Sequence, residues 1–313
     1  MNARHCLVIL LAATCAAPTA HAAPTPEQRA AAARATADDA ADCRSVQPFY
    51  WSIGDARGVQ ADGGAGRRPP TATTPMPIAS ASKLVYAAFV AEQRQGRLTD
   101  DDVRFLHFTS GYTHFKNCRR GQTVGECDAM RSNGEHDAAD DGRFFYNGGH
   151  MQRHAVLDGL GDLDDQALAT RVNAALGTSF EYLEPQLAGG IRTNAADYGE
   201  FLRRIVAGQL QMKSLLGTHP VCTNPGTCPT AAESFIHADV HYSIGHWVED
   251  DPNGDGAFSS AGAFGFYPWI SNDKTTWGVL ARFQFTLSGA RTGMASLACG
   301  REIRAAWASG QAR

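Results

Sequence analysis

A serine and a lysine that could carry out acyl-transfer chemistry lie three residues apart, at Ser80 and Lys83. Pro77 precedes them, and a run rich in Ala, Leu, Val and Phe follows, which predicts a loop entering a buried helix. At this spacing the two side chains share one helical face. Apolar surroundings lower the pKa of a lysine, so its neutral amine can accept the proton of a serine hydroxyl. The spacing therefore predicts Ser80 as a nucleophile and Lys83 as its general base.

The use of lysine at this position favours a chemical role. The chain has 28 basic residues, and only four of them are lysines: Lys83, Lys116, Lys213 and Lys274. Arginine is the usual cation of this sequence, but it does not lose its proton in a protein. The alternative interpretation is a lysine whose stem is buried, whose ammonium group reaches solvent, and whose neighbouring serine is unrelated.

Composition limits the class of protein. The chain has 313 residues, of which 43% are hydrophobic and 19% charged, as expected for one large domain or two closely joined ones. The net charge of -4 gives no sign of a nucleic-acid-binding surface. We expect a small-molecule or peptide substrate, and composition leaves the oligomeric state open.

The first 22 residues have the pattern of a signal peptide. Arg4 and His5 precede the apolar run 7–17, and Ala20-His21-Ala22 is a small-x-small cleavage site. The apolar run is too short to span a bilayer. We therefore predict a periplasmic or secreted protein without a membrane span, whose mature chain begins near Ala23.

Six cysteines remain after this segment, an even number that suggests disulfides in an oxidising compartment. Nearness in sequence favours two of the pairs, and a third would then follow by elimination, although six cysteines allow fifteen pairings. No paired C-x-x-C spacing suggests zinc. The favoured pairs are Cys118–Cys127, Cys222–Cys228 and Cys43–Cys299.

Strand-like segments lie towards both ends of the chain, and helical periodicity dominates the middle. The simplest architecture is an α/β part made of both ends with a helical insertion. We assign residues 23–79 and 230–313 to the α/β part and 80–229 to the helical part. The predicted strands include 49–54, 240–248, 263–270 and 277–286, and the predicted helices include 26–43, 80–95, 164–176, 195–206 and 295–308.

Four stretches in this order resemble the β-lactamase and penicillin-binding-protein-like serine hydrolases, in particular the class C and related esterase branch. The third stretch is the most specific match, and together the four cover about residues 45–285. They are Ser80-Ala81-Ser82-Lys83, Phe108-Thr109-Ser110-Gly111-Tyr112, the segment 188–198 (AGGIRTNAADY) and the segment 260–266 (SAGAFGF).

The resemblance implies an antiparallel sheet flanked by terminal helices, with an inserted all-helical subdomain. It assigns Ser80 as nucleophile and Lys83 as its base. It also implies an oxyanion hole formed by the backbone N–H groups of Ser80 and of Ala263, which follows Gly262. Fixed donors of this kind contribute roughly 3–4 kcal/mol each in mutational tests.

The second family motif, Tyr-x-Asn, is altered in this chain. Aligning Asn147 with the motif puts Phe145 at the position of the tyrosine, and a phenylalanine cannot transfer a proton. Tyr146 is one residue further along and replaces the tyrosine if the loop is shifted; otherwise it is a packed loop aromatic. Asn147 is expected to bind either the substrate amide or the lysine.

The third motif has Ser260 where lactam-acting members carry a cation that helps to anchor a substrate carboxylate. This change favours an esterase-like hydrolase acting on ester or amide bonds through an acyl-Ser80 intermediate, with Ser260 able to hydrogen-bond the substrate. The alternatives are a β-lactamase or D,D-carboxypeptidase acting on cell-wall peptides, and a non-catalytic member of the fold. We expect no cofactor.

One short motif bears on metal binding. The segment 251–256 (DPNGDG) matches the first half of a calcium loop, but its twelfth position is Gly262 rather than a glutamate. A polar turn is the alternative interpretation, and we predict no metal site.

Overall fold

The structure is a computed structural model and describes residues 23–313, so the predicted signal peptide lies outside the described residues. A 3-10 turn at Ala79–Ala81 leads into the third helix, and a π-helical turn at Val156–Leu160 follows the sixth. The α-helices are α1 (Pro26–Asp39), α2 (Ala41–Val46), α3 (Ser82–Gln93), α4 (Asp100–Leu106), α5 (Val124–Asp128), α6 (Gly149–Ala155), α7 (Asp165–Leu176), α8 (Ala195–Val206), α9 (Met212–Leu215) and α10 (Gly289–Ser309).

The strands form one large and two small sheets. They are β1 (Phe49–Asp55), β2 (Gly58–Ala65), β3 (Met76–Pro77), β4 (Phe144–Phe145), β5 (Glu181–Tyr182), β6 (Ile191–Thr193), β7 (Val221–Cys222), β8 (Ala231–Glu233), β9 (His241–Tyr242), β10 (Trp247–Val248), β11 (Phe258–Ser259), β12 (Tyr267–Ile270) and β13 (Thr276–Ala281). The large sheet has eight strands in the order β2-β1-β13-β12-β11-β10-β9-β7, and every pair in it is antiparallel. The predicted antiparallel α/β fold is confirmed.

Helices cover both faces of the large sheet because its central strands are apolar on both sides. Trp51 and Ile53 of β1 join a buried cluster with residues of α1 and α10. Tyr50, directly before Trp51 in sequence, belongs to the second cluster, which includes residues of α3 and α8. Adjacent strand residues point to opposite faces, so one strand contributes to both cores. The helix α3 is buried in this second cluster and fixes the position of the lysine it carries.

Three strand predictions were wrong in detail, and one of them, the segment 277–286, is a strand only over Thr276–Ala281. The segment 240–248 forms a hairpin of β9 and β10, because Gly245 has a φ of 70° and turns the chain back so that Tyr242 pairs with Trp247. The segment 263–270 becomes a strand only at Tyr267. The N–H of Gly262 donates to Phe266 at 2.7 Å, which closes a turn before β12.

The predicted division of the chain into two parts remains a prediction. The helices α3–α7 come from the segment 80–229, and most strands of the large sheet come from the two ends. Two elements of the middle segment nevertheless join the sheet region: β7 pairs with β9, and α8 contacts β1 and β13.

Three disulfides join the same pairs that the sequence favours, Cys43–Cys299, Cys118–Cys127 and Cys222–Cys228. The first links α2 to α10. Such bonds are compatible with a protein located outside the reducing cytoplasm. Within residues 23–313, none of the helices has the length and apolar character needed to cross a membrane.

Candidate active site

The serine and the lysine meet at the start of α3. Ser80 lies in the 3-10 turn just before that helix, and Lys83 lies in its first turn. Ala79 has a φ of 44°, so the chain bends sharply before the serine and leaves it partly exposed. The Nζ atom of Lys83 is 2.9 Å from Ser80 Oγ and donates a second hydrogen bond of 3.0 Å to the carbonyl of Ala188. The predicted pair is therefore within hydrogen-bonding distance.

Burial sets the charge of this lysine. The residue is only 4% exposed, and every residue of α3 from Ser82 to Ala91 is buried around it. Burial alone lowers the pKa of Lys83 from 10.5 to about 7. A large fraction of the amine is therefore neutral at neutral pH and can accept the proton of the Ser80 hydroxyl.

Tyr146 faces the Ser80–Lys83 pair. The Nζ atom of Lys83 lies 4.9 Å from the centroid of the Tyr146 ring, which stacks on Trp247 with a centroid distance of 5.2 Å. Burial raises the pKa of Tyr146 to about 12, and the side chains of Ser80 and Trp247 partly offset this rise. The phenol stays protonated at neutral pH, so it can donate a proton or a hydrogen bond next to the serine. Its catalytic role stays a prediction.

A buried serine–histidine pair holds the loop that carries Tyr146. His150 Nε2 donates to the carbonyl of Phe145 at 3.0 Å, and its Nδ1 accepts from the Ser110 hydroxyl at 2.7 Å. Burial lowers the pKa of His150 to about 3, so the ring is neutral, and a carbonyl partner places its proton on Nε2. Sequence reasoning noted Ser110 only through the T-S-G turn and missed His150, which has no sequence signal of its own.

Asn147 has local hydrogen-bond partners. Its amide nitrogen donates to the carbonyl of Phe115 at 3.3 Å, and its oxygen accepts from the N–H of Gly149 at 2.8 Å. Among residues 23–313 it makes no hydrogen bond to Ser80 or Lys83. The side chain therefore shapes the start of α6, and its expected contact with substrate remains untested.

Two backbone N–H groups are available for an oxyanion. Neither the N–H of Ser80 nor that of Ala263 donates a hydrogen bond within the described chain, whereas the N–H of Gly262 is bonded to Phe266. A Cβ atom on Gly262 would overlap the carbonyl of Ile78, so only glycine fits there. The free donors are those that the family resemblance implies.

Ser260 contacts the backbone of Ser80. Its hydroxyl donates to the carbonyl oxygen of Ser80 at 2.9 Å, and the residue is 3% exposed. This bond joins the segment before β12 to the 3-10 turn and fixes their separation. The expected hydrogen bond from Ser260 to substrate remains a prediction, since the hydroxyl already has a partner.

A pocket of about 140 Å³ opens onto the serine. Small residues of the 261–263 segment form one wall, the start of α10 forms another, and two aromatic rings complete it. Sequence reasoning missed the contributions of Phe235 and α10, which are distant in sequence from the motifs. The lining contains no charged side chain and consists of Ser80, Tyr146, Phe235, Ala261, Gly262, Ala263, Gly289, Ala290 and Gly293.

The acidic loop 251–255 has a structural role. Asp251 forms a 2.6 Å ion pair with Arg301, and Asp255 forms one of the same length with Arg304. Two arginines of α10 thus neutralise the carboxylates that a calcium ion would need. No group of three or more potential metal ligands occurs among the residues that the structure describes.

Comparison with solved structures identifies the fold. No protein-family model and no curated protein sequence matches the chain. EstCE1, described as a hydrolase with promiscuous acyltransferase activity, is 13% identical with a TM-score of 0.65, and the match covers 90% of this chain and 99% of that one. A D-stereospecific amidohydrolase from Streptomyces sp. is 16% identical with a TM-score of 0.58, covering 88% and 99% of the two chains.

A penicillin-binding protein from Bacillus halodurans is 14% identical with a TM-score of 0.57, and the match covers 82% of this chain and 98% of that one. Identities this low establish the fold rather than the activity. The chain has the fold of the β-lactamase and penicillin-binding-protein-like serine hydrolases, as the sequence motifs indicate.

Proposed function

We propose that this protein is an exported serine hydrolase that cleaves ester bonds through an acyl-Ser80 intermediate. The observation that carries the proposal is the buried lysine, whose Nζ lies 2.9 Å from Ser80 Oγ at the wall of a pocket. Burial of a lysine ammonium destabilises the fold, so a purely stabilising role does not explain this lysine beside a partly exposed serine. Amides are possible substrates of the same chemistry, but they require stronger protonation of the leaving group.

The residues divide the reaction into two steps. Lys83 removes the Ser80 proton as Oγ attacks the carbonyl carbon, and the N–H groups of Ser80 and Ala263 bind the oxyanion. The bond to the leaving alcohol then breaks as the alcohol takes a proton from the lysine, directly or through the Tyr146 hydroxyl. In the second step water attacks the acyl-serine with the same base, which releases the acid and restores the serine.

Labelling tests the assignment directly. The protein should hydrolyse p-nitrophenyl acetate, and a fluorescent phosphonate should label Ser80, as located by peptide mapping. Ser80→Ala should lose both signals. Ser82→Ala is the matched control, because its hydroxyl bonds only the backbone N–H of Ile191 and lies on the same turn. An active Ser80→Ala variant, or an adduct on another serine, would contradict the proposal.

A β-lactamase or D,D-peptidase activity is the alternative that some solved structures of this fold suggest. The pocket lining offers no cation for a substrate carboxylate, and Arg192 is paired with Glu181 at 2.9 Å. We therefore expect slow or no labelling by a fluorescent penicillin. Stable labelling, or rapid turnover of a chromogenic cephalosporin, would favour the alternative.

Export is the other part of the proposal. It is supported by the charged and apolar pattern of residues 1–22 and by three disulfides. N-terminal sequencing of the protein recovered from a bacterial periplasm or medium should give a start near Ala23. Recovery only from the cytoplasm, with residues 1–22 intact, would contradict it.

A further inference from the structure

Aromatic and aliphatic side chains form an uncovered cluster next to the catalytic pocket. Three of the five large hydrophobic residues that are exposed within residues 23–313 lie here: Phe283 at 51%, Phe285 at 72% and Leu287 at 103% exposure. The ring of Phe264 joins them, with centroids 5.3 Å from Phe283 and 6.2 Å from Phe285. These four residues are called the apolar rim below.

The apolar rim is continuous with the site. Phe264 directly follows Ala263, whose N–H is a free oxyanion donor. The carbonyl of Phe264 accepts a hydrogen bond from the N–H of Gln284. Phe283 and Phe285 both contact Phe264. The residues that alternate with them, Gln284, Thr286 and Ser288, line a separate cavity. The segment that carries them ends at Gly289, which lines the pocket and packs against Ala263. The uncovered surface therefore begins at the pocket wall.

Charge and area indicate what this surface binds. The pocket lining has no charged side chain, and Arg291, which is close in sequence, lines a separate cavity. The four side chains expose roughly 400 Å² in total, about half of the ~800 Å² per partner of a stable protein interface. The pocket that contains Ser80 also contains Ala263, which directly precedes Phe264 of the rim, so a chain attached to a carbonyl at Ser80 would extend from the pocket towards the rim.

We infer that the natural substrate is a neutral ester with an extended apolar chain, which lies on the apolar rim while its carbonyl is held at Ser80. This inference rests on the proposed hydrolase function and specifies its substrate class. The chain belongs either to the acyl group or to the alcohol. On a half-open surface, each added methylene should raise kcat/KM about twofold, because it gains about half of the free energy of full burial.

Two ester series test the inference. In the first, kcat/KM is measured for p-nitrophenyl acetate, butanoate, hexanoate and octanoate below their aggregation concentrations. In the second, acetates of ethanol to octanol are followed by proton release. In one of the two series, kcat/KM should be about 60-fold higher for the longest ester than for the shortest, which differ by six methylenes. In the double variant Phe283→Ser/Phe285→Ser, this chain-length ratio should fall below about tenfold. Leu157→Ser, at a residue that is 59% exposed elsewhere, is the matched control and should leave the ratio unchanged.

The outcomes separate this inference from the proposed function. Hydrolysis of acetate with flat profiles in both series would overturn the inference alone. Absence of hydrolysis and of a Ser80 adduct would overturn the proposed function. The double variant could instead leave the chain-length ratio unchanged and convert a dimer to a monomer in size-exclusion chromatography. That result would make the rim a contact between copies and would overturn the inference.

Discussion

Replacing Lys83 with methionine should abolish hydrolysis and make the folded protein more stable at acidic pH. The folded-state pKa of about 7 lies below the unfolded value of 10.5, so the unfolded chain binds more protons between these two values. At 1.36 kcal/mol per pKa unit, burial of the ammonium costs about 5 kcal/mol of stability below pH 7. This cost decreases as the pH rises from about 7 to 10.5.

Methionine has a similar length but no charge, so it removes this cost. It also leaves the carbonyl of Ala188 without its lysine donor, a loss of about 1–3 kcal/mol at any pH. The variant should therefore be more stable than the wild type by about 2–4 kcal/mol at pH 6, and equal or less stable at pH 10.

Urea unfolding followed by tryptophan fluorescence at the two pH values measures this change. The difference between the two proteins should shift by about 4 kcal/mol, and groups other than the lysine cancel in the comparison. Lys116→Met, at an exposed lysine, is the control and should give a constant difference. A Lys83→Met difference constant to within about 1 kcal/mol would refute the argument that burial lowers the pKa of this amine.

Three further predictions concern the proposed reaction. The kcat/KM of the wild type should fall about tenfold from its plateau at pH 6, because the active base is the neutral lysine and its pKa is about 7; a profile that is flat from pH 6 to 9 would contradict this. Tyr146→Phe should lower kcat by about 10²-fold or more with little change in unfolding free energy; an effect under about threefold would make Tyr146 a packing residue. Gly262→Ala should reduce kcat by about 10²-fold and destabilise the fold by about 1–3 kcal/mol, because its Cβ would overlap the carbonyl of Ile78; wild-type activity would show that the oxyanion donors lie elsewhere.

Local patterns allowed part of the site to be predicted. Ser80 and Lys83 lie one helical turn apart, and the apolar composition of α3 dictates both the burial and the lowered pKa of the lysine. The fold followed from motif order. The sequence left two roles open for Tyr146, as the motif tyrosine or as a packed loop aromatic. The choice depends on a one-residue shift of the loop, which is set by buried contacts such as that of His150 with Phe145.

Long-range packing was not predictable in the same way. The late start of β12 depends on a backbone hydrogen bond between Gly262 and Phe266 rather than on residue preferences. Gly245 permits a turn, but the pairing of Tyr242 with Trp247 decides that the chain turns there. The contribution of Gly289 and Gly293 to the pocket requires that α10 cross the segment 261–263, and no local pattern reports such a crossing. The apolar rim was missed for the same reason: Phe283 and Phe285 fall at the end of the predicted strand 277–286, and Phe264 falls at the start of the predicted strand 263–270.

The bond between Cys43 and Cys299 closes a ring of nearly the whole chain, with a sequence separation of 256. Of the three disulfides, this one contains the cysteine that is synthesised latest, because Cys299 lies in α10. The same helix supplies the pocket wall at Gly289 and Gly293. A chain cut before α10 would carry Ser80 without these residues of the pocket wall, so we expect such a chain to lack the proposed hydrolase activity. After oxidation, a single proteolytic cut between the two cysteines leaves both fragments covalently joined.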